Sequence, residues 1–187
     1  MKVAVIGGGA AGFFAALSVK AHHPEAAVSL LERSGKVLSK VRISGGGRCN
    51  VTNGQAAAKV WLEAYPRGGK MLRQLFRTFN HRDTMAWFEA RGVPLKTEED
   101  HRVFPVSNQS SSIIGCLEEA AAQLGITVHL RAAVEALQPT PQGIALRMNG
   151  TEKPWHVDRV IVAERSPILG AGIRVRPITP EAAAAGP

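Results

Sequence analysis

"KVAVIGGGAAGFFAALSVKAHHPEAAVSLLE", Lys2 to Glu32, decides the fold. Val3 to Ile6 is a short β-branched-rich run, as expected for a buried parallel strand. Gly7, Gly9 and Gly12 then fit G-x-G-x-x-G, and each has a mechanical reason. Gly7 allows the chain to turn sharply out of the strand. Gly9 has no Cβ, so a pyrophosphate can come close to the backbone. Gly12 lets the following helix pack tightly on the strand. That helix, expected from Ala10 to Ala21, points the free N–H groups of its first turn, Ala10 and Ala11 among them, and its positive dipole end at the phosphate. A second strand, Ala26 to Leu31, ends at Glu32, twenty residues after Gly12. An acidic side chain there can accept hydrogen bonds from ribose hydroxyls.

The pattern therefore predicts a dinucleotide with a free ribose diol, FAD or NAD. Glu32 disfavours the 2′-phosphate of NADP, although Arg33 beside it leaves that point open. The competing reading is a glycine-rich turn with a surface glutamate.

Outward from this stretch the chain reads as an ordinary soluble domain. Its 187 residues suffice for one core, with 45% apolar and 20% charged residues. Val3 to Val19 is uncharged, but four glycines and its short length argue against a signal peptide or a membrane span. The two cysteines, Cys49 and Cys116, lie far apart and show neither metal-ligand spacing nor a disulfide framework. A reducing, cytoplasmic setting is expected, which makes the glycosylation pattern Asn50-Val51-Thr52 inert. The net charge is +8, but the arginines are spread along the chain with no interleaved aromatic platform. We expect no nucleic-acid partner, because a phosphorylated cofactor also gains from positive potential. The six histidines have no ligand spacing, so no metal site is expected, and no Ser-His-Asp or paired-carboxylate arrangement stands out.

A second unusual run is "ISGGGRCNVTN", Ile43 to Asn53. Three glycines permit backbone N–H groups to converge on an anion. Arg48 adds a charge, and Asn50 and Asn53 offer donors and acceptors. Taken together, "VAVIGGGAAG", "LLER", "ISGGGRCNVTN", "GVPLKTEEDHRVFPVSNQSSSI" and "VDRVIVA" resemble the bacterial NAD(P)/FAD-dependent oxidoreductases described as aminoacetone-oxidase-like flavoproteins. The resemblance runs from Met1 to about Ala163. It implies FAD held by a glutathione-reductase-like domain, with NAD(P)H as a possible electron donor. It implies that the segment around Ser44, Gly45, Arg48 and Asn50 runs beside the pyrophosphate toward the flavin ring. Arg48 would then face a phosphate or the reduced flavin. Lys40 matches a basic position of the family, although "SGKVLSKVR" departs from the family's usual leucine-glycine-lysine wording. Disulfide reductases carry two cysteines near this place. Here Cys49 has no partner in the loop, so a packing role is favoured over a redox one.

Helices are expected over Ala56–Tyr65, Gly69–Phe79, His81–Arg91 and Gln109–Leu124, the last with Ile113, Cys116, Leu117 and Leu124 on one apolar side. Trp61, Leu72, Phe76, Phe79, Trp87 and Phe88 are expected in the core or an interface. Strands are expected at Pro94–Thr97 and Arg102–Val106, as a hairpin turning at Glu99-Asp100, then at Ile126–Leu130, Ala133–Leu137, Gly143–Met148 and His156–Ala163. The resemblance implies a small antiparallel meander here, with the backbone near Val134 facing the adenine. The last residues, from Glu164, are proline- and glycine-rich without aromatics. The expected organisation is an α/β, Rossmann-like FAD-binding domain over residues 1–163 and a divergent, disordered tail over 164–187. We expect a fragment, or a chain whose reading frame has changed, of a larger enzyme that moves hydride through FAD. Alternatives are a non-catalytic remnant, a natural short form and a plain NAD-binding module. The substrate would be a small molecule; catalytic residues and oligomeric state stay open, and no membrane partner is expected.

Overall fold

The computed structural model describes residues 1–55, 65 and 68–164. Its centre is a four-stranded parallel sheet in the order β10-β1-β2-β6: Lys2–Ile6 (β1), Ala27–Leu31 (β2), Thr127–His129 (β6) and Arg159–Val162 (β10). Side chains alternate across this sheet because strand residues point to opposite faces. Val3, Val5, Val28 and Leu30 pack under the helices Ala10–His22 (α1) and Ser110–Gln123 (α5), with Phe13, Leu17, Ile113 and Leu117. Ala4, Ile6 and Leu31 pack on the other face against Val134, Leu146 and Val157. Those three belong to an antiparallel meander of Val134–Thr140 (β7), Gly143–Met148 (β8) and Trp155–Val157 (β9). Both faces of the sheet are thus covered, as a parallel sheet requires. The observed fold is the α/β, Rossmann-like class expected, with the expected meander.

A third unit is a small antiparallel sheet of Thr52–Asn53 (β3), Leu95–Thr97 (β4) and Arg102–Pro105 (β5), with β5 central. The β4–β5 hairpin turns where expected, with His101 donating to the Glu98 carbonyl. Between the sheets lie the short helix Ser39–Ile43 (α2), a 3₁₀ turn at Ser44–Gly47, and helices Gly69–Thr78 (α3) and His81–Glu89 (α4). Asn80 begins α4 with a reciprocal capping box to Asp83. Gly92 and Gly125, both at positive φ, end α4 and α5 as expected.

Three expectations need correcting. His156–Ala163 is not one strand: it divides at Asp158 into β9 of the meander and β10 of the parallel sheet. Leu124 does not share the buried face of α5 but is exposed, because it lies past the helix end. Phe79, expected in the core or an interface, is half-exposed just past α3 and meets the Phe14 ring at 6.2 Å between centroids, which leaves that expectation standing. Strand β7, expected to end at Leu137, runs on through Pro139 and Thr140. The helix expected at Ala56–Tyr65, with Trp61, lies outside the described residues apart from Tyr65.

Candidate functional site

The site forms where β1 and β2 end. Gly7 leaves β1 at φ 108°, and its N–H donates to the Leu31 carbonyl at 2.8 Å. A Cβ at Gly7 would sit 3.0 Å from the Ala163 carbonyl oxygen, so the turn passes close under the end of β10. At Gly12 a Cβ would overlap the Gly7 carbonyl oxygen, which is the close helix-to-strand approach the third glycine was expected to provide. Gly9 differs from both: a Cβ there would meet nothing within 4 Å, and the residue is exposed, like Ala10 and Ala11 after it. Gly9 is the N-cap of α1, with no side-chain cap and no acidic residue in the first turn. The helix therefore presents uncapped N–H groups and its positive end to open space.

Glu32 faces this turn. One carboxylate oxygen accepts the Gly8 N–H at 2.8 Å and the other accepts the Ser34 N–H at 2.8 Å. Each oxygen keeps acceptor capacity for a further donor. Burial pushes the Glu32 carboxyl up, but the Ser34 and Gly8 hydrogen bonds and the Arg33 charge outweigh it, so its pKa lies below the usual carboxylate range. Gly8 itself went unrecognised in the sequence. A Cβ there would strike Val37 at 2.8 Å and Glu32 at 2.9 Å, and its carbonyl accepts the Leu38 N–H at 2.7 Å. The middle glycine thus seats the acid against the turn; the only signal for it was that the run has three adjacent glycines. Arg33 is exposed, and Lys40 is exposed on α2 with no ion pair among the described residues. The Ala132 N–H donates to the Glu32 carbonyl at 2.9 Å, which brings the start of β7, and so Val134, to the acid's end of the sheet. The Val134 side chain is buried on the meander face.

The triple-glycine loop takes a defined left-handed course. Gly45, Gly46 and Gly47 have φ of 57°, 68° and 86°, a left-handed run that glycine adopts without Cβ strain. The Ser44 hydroxyl donates to the Val41 carbonyl at 2.9 Å. Asn50 is exposed, and its backbone N would lie 2.9 Å from a Cβ on Gly45. Arg48, expected to supply a charge to a phosphate or the reduced flavin, is paired within the protein: Nη1 is 2.6 Å from Glu98 Oε1, and the guanidinium lies 3.9 Å from the Phe104 ring centroid. Cys49 is buried and free; burial pushes its thiol up, against a Ser44 hydrogen bond that lowers it. A raised thiol pKa means little thiolate and low reactivity, in keeping with packing.

Gly7, Gly9, Ala10, Ala11, Gly12 and Glu32 therefore converge on one open cradle, while the glycine loop forms a second, adjoining structure after α2. The cradle fits the ADP half of a dinucleotide: space where a Cβ would stand, uncapped amides for phosphate and a carboxylate for ribose. Among the described residues no cluster could hold a metal ion, and no helix is long and apolar enough to cross a membrane.

Comparison with known proteins places the chain by family and fold. The family described as "HI0933-like protein Rossmann domain" matches residues 1–182, which runs past Ala163 into the stretch expected to diverge. A 3-dehydro-bile acid delta(4,6)-reductase of Clostridium scindens is 29% identical over 162 residues, 87% of this chain and 38% of the relative. A ribosomal RNA dihydrouridine synthase of Escherichia coli is 26% identical over 146 residues, 78% of this chain and 35% of the relative. The chain thus spans less than two fifths of the length of these curated relatives. In fold, it resembles the open conformation of a flavocytochrome c3 fumarate reductase, with a TM-score of 0.61 at 23% identity over 86% of this chain and 33% of that one.

Proposed function

The chain belongs to the HI0933-like protein Rossmann-domain family, and from that premise we propose that it holds FAD by its ADP half as the cofactor domain of a hydride-transferring oxidoreductase. The observation that carries this reading is the open space at Gly9, set at an uncapped helix start beside Glu32. Amides of Gly9, Ala10 and Ala11 receive the pyrophosphate. Glu32, fixed by Gly8 and Ser34, accepts from the ribose hydroxyls. The β6–β7 connection, tied to the Glu32 carbonyl, lines the adenine end near Val134. Ser44, Gly45 and Asn50 extend the contact toward the flavin, and Lys40 lies nearby on α2 as a further cation. When bound, FAD supplies the hydride chemistry, with NAD(P)H as the donor we favour. The curated relatives are named for unlike substrates, a bile acid and ribosomal RNA, which supports a shared cofactor function in the part they have in common with this chain.

Calorimetric titration of the 187-residue chain with ADP, FAD and NAD tests the reading. ADP and FAD should bind with similar affinity, since the cradle engages the half they share, and Gly9→Val should abolish both. Binding unaffected by Gly9→Val would remove the assignment. Tighter binding of NAD than of FAD would replace it with an NAD module.

A further inference from the structure

Arg48 and Arg102 flank a single acid, Glu98, which stands fifty positions from Arg48 in sequence and against it in space. Arg48 Nη1 lies 2.6 Å from Glu98 Oε1, and Arg102 Nη2 lies 3.7 Å from Glu98 Oε2. Arg102 Nε is also 2.6 Å from Asp100. Both guanidinium groups lie over the Phe104 ring, at 3.9 Å and 5.5 Å from its centroid. Phe104 is fully buried, and a Cβ on Gly45 would come within 2.8 Å of the ring. The left-handed turn thus sits directly on Phe104, with Arg48 folded over the ring and fastened to Glu98. Two cations face two anions here, so the Arg48 charge is spent within the protein. Glu98 is itself held: its N–H donates to the Arg102 carbonyl at 2.9 Å, and its carbonyl accepts from His101 at 2.9 Å. Downstream of the turn, the Val51 N–H donates to the Val103 carbonyl at 2.8 Å and the Gly54 N–H to the His101 carbonyl at 2.7 Å.

We propose that Glu98 is a positioning residue for the glycine loop: through Arg48 it clamps the turn Ser44–Gly47 onto Phe104 of β5, so that the loop's backbone, rather than the Arg48 side chain, faces the cofactor. The physical need is clear. Three consecutive glycines lose more backbone freedom on ordering than any other residues. A loop left to order itself around a ligand would subtract that cost from binding. The ion pair, shared between partly shielded side chains and stacked on an aromatic ring, meets the cost in the free protein. This inference rests on the cofactor reading above.

The test uses Glu98→Gln, Arg48→Met and the double variant in the 187-residue chain. Hydrogen exchange without ligand should show amides of residues 44–50 exchanging roughly fivefold faster in either single variant, as expected for loss of about 1 kcal/mol of local restraint, with β1 amides unchanged. FAD affinity should fall roughly three- to tenfold, and the double variant should be no worse than the worse single one, because both remove the same link. Unchanged exchange in the loop would overturn the clamp whatever the ligand does. Tighter FAD binding in Glu98→Gln would also overturn it, by showing Arg48 to be an anion ligand that Glu98 restrains. If the parent chain binds neither FAD nor ADP, the cofactor reading fails; an exchange response alone would then reduce the clamp to a structural contact and overturn its positioning role.

Discussion

Gly12 and Gly9 stand three residues apart and differ in what an added methyl would meet. At Gly12 it would overlap the Gly7 carbonyl, while at Gly9 it would enter open space in an extended conformation open to any residue. Gly12→Ala should therefore destabilise the fold by about 1–3 kcal/mol despite the better helix propensity of alanine. Gly9→Ala should leave the melting temperature unchanged and weaken ADP binding. Thermal melts and titrations of the pair check this; equal melting losses would mean that Gly9 is structural. At Glu32 the prediction concerns pH. Burial alone would raise its carboxyl, but the Ser34 and Gly8 hydrogen bonds and Arg33 prevail, so the folded value lies below the unfolded one. Its stabilisation is then complete above the ordinary carboxylate range and is lost as pH falls through the lowered value. The stability of wild type should decline through that acid window, and Glu32→Gln should flatten this part of the profile in chemical denaturation. These residues were legible because the dinucleotide fingerprint is local: spacing alone places three glycines and an acid. Glu98 was not legible, since its partner Arg48 is distant in sequence and a lone glutamate in a hairpin carries no pattern.

Elements were readable where hydrophobic period and punctuation coincide, as in α1, α5, β1, β2 and β8. The short ones were not. Strand β3 has two residues, and their partners come from β5, so pairing rather than propensity makes it a strand. Helix α2 begins from Leu38 at φ 55°, a backbone bulky residues rarely adopt. The tie from the Leu38 N–H to the Gly8 carbonyl and complete burial of its side chain hold it there. Division of the last expected strand has a similar cause. No glycine or proline marks residue 158; instead the Asp158 carboxylate accepts the Lys2 N–H at 2.6 Å while its own N–H donates to the Lys2 carbonyl at 2.9 Å. This double tie turns the chain from the meander into the parallel sheet beside β1. Asp158→Ala should cost about 0.5–1.5 kcal/mol, the usual worth of such a bond, measured by urea denaturation with an unchanged slope. A wild-type midpoint in the variant would show that backbone pairing of β1 with β10 is sufficient.

For the molecule as a whole, the charge of +8 and the form of the cradle make separable demands on ligand binding. Net positive charge raises the encounter rate with an anion, and this long-range effect is screened by salt. On the proposed reading, contacts in the cradle would come instead from backbone amides at the start of α1, which has no side-chain cap. Nearby, Arg48 and Arg102 are balanced by Glu98 and Asp100. Exposed Arg33 and Lys40 can add attraction but are open to screening. Raising ionic strength from roughly 0.1 to 1 M shortens the screening length from about 10 to 3 Å. Association of ADP should then slow, while the dissociation constant rises less than about tenfold, because the short-range amide contacts are little affected. Stopped-flow and calorimetric titrations at the two salt concentrations separate the two effects. A loss on the order of a thousandfold, as in polyanion binding through many side-chain cations, would transfer the affinity from the helix start to Arg33, Lys40 and the basic surface, and with it the case for a backbone cradle.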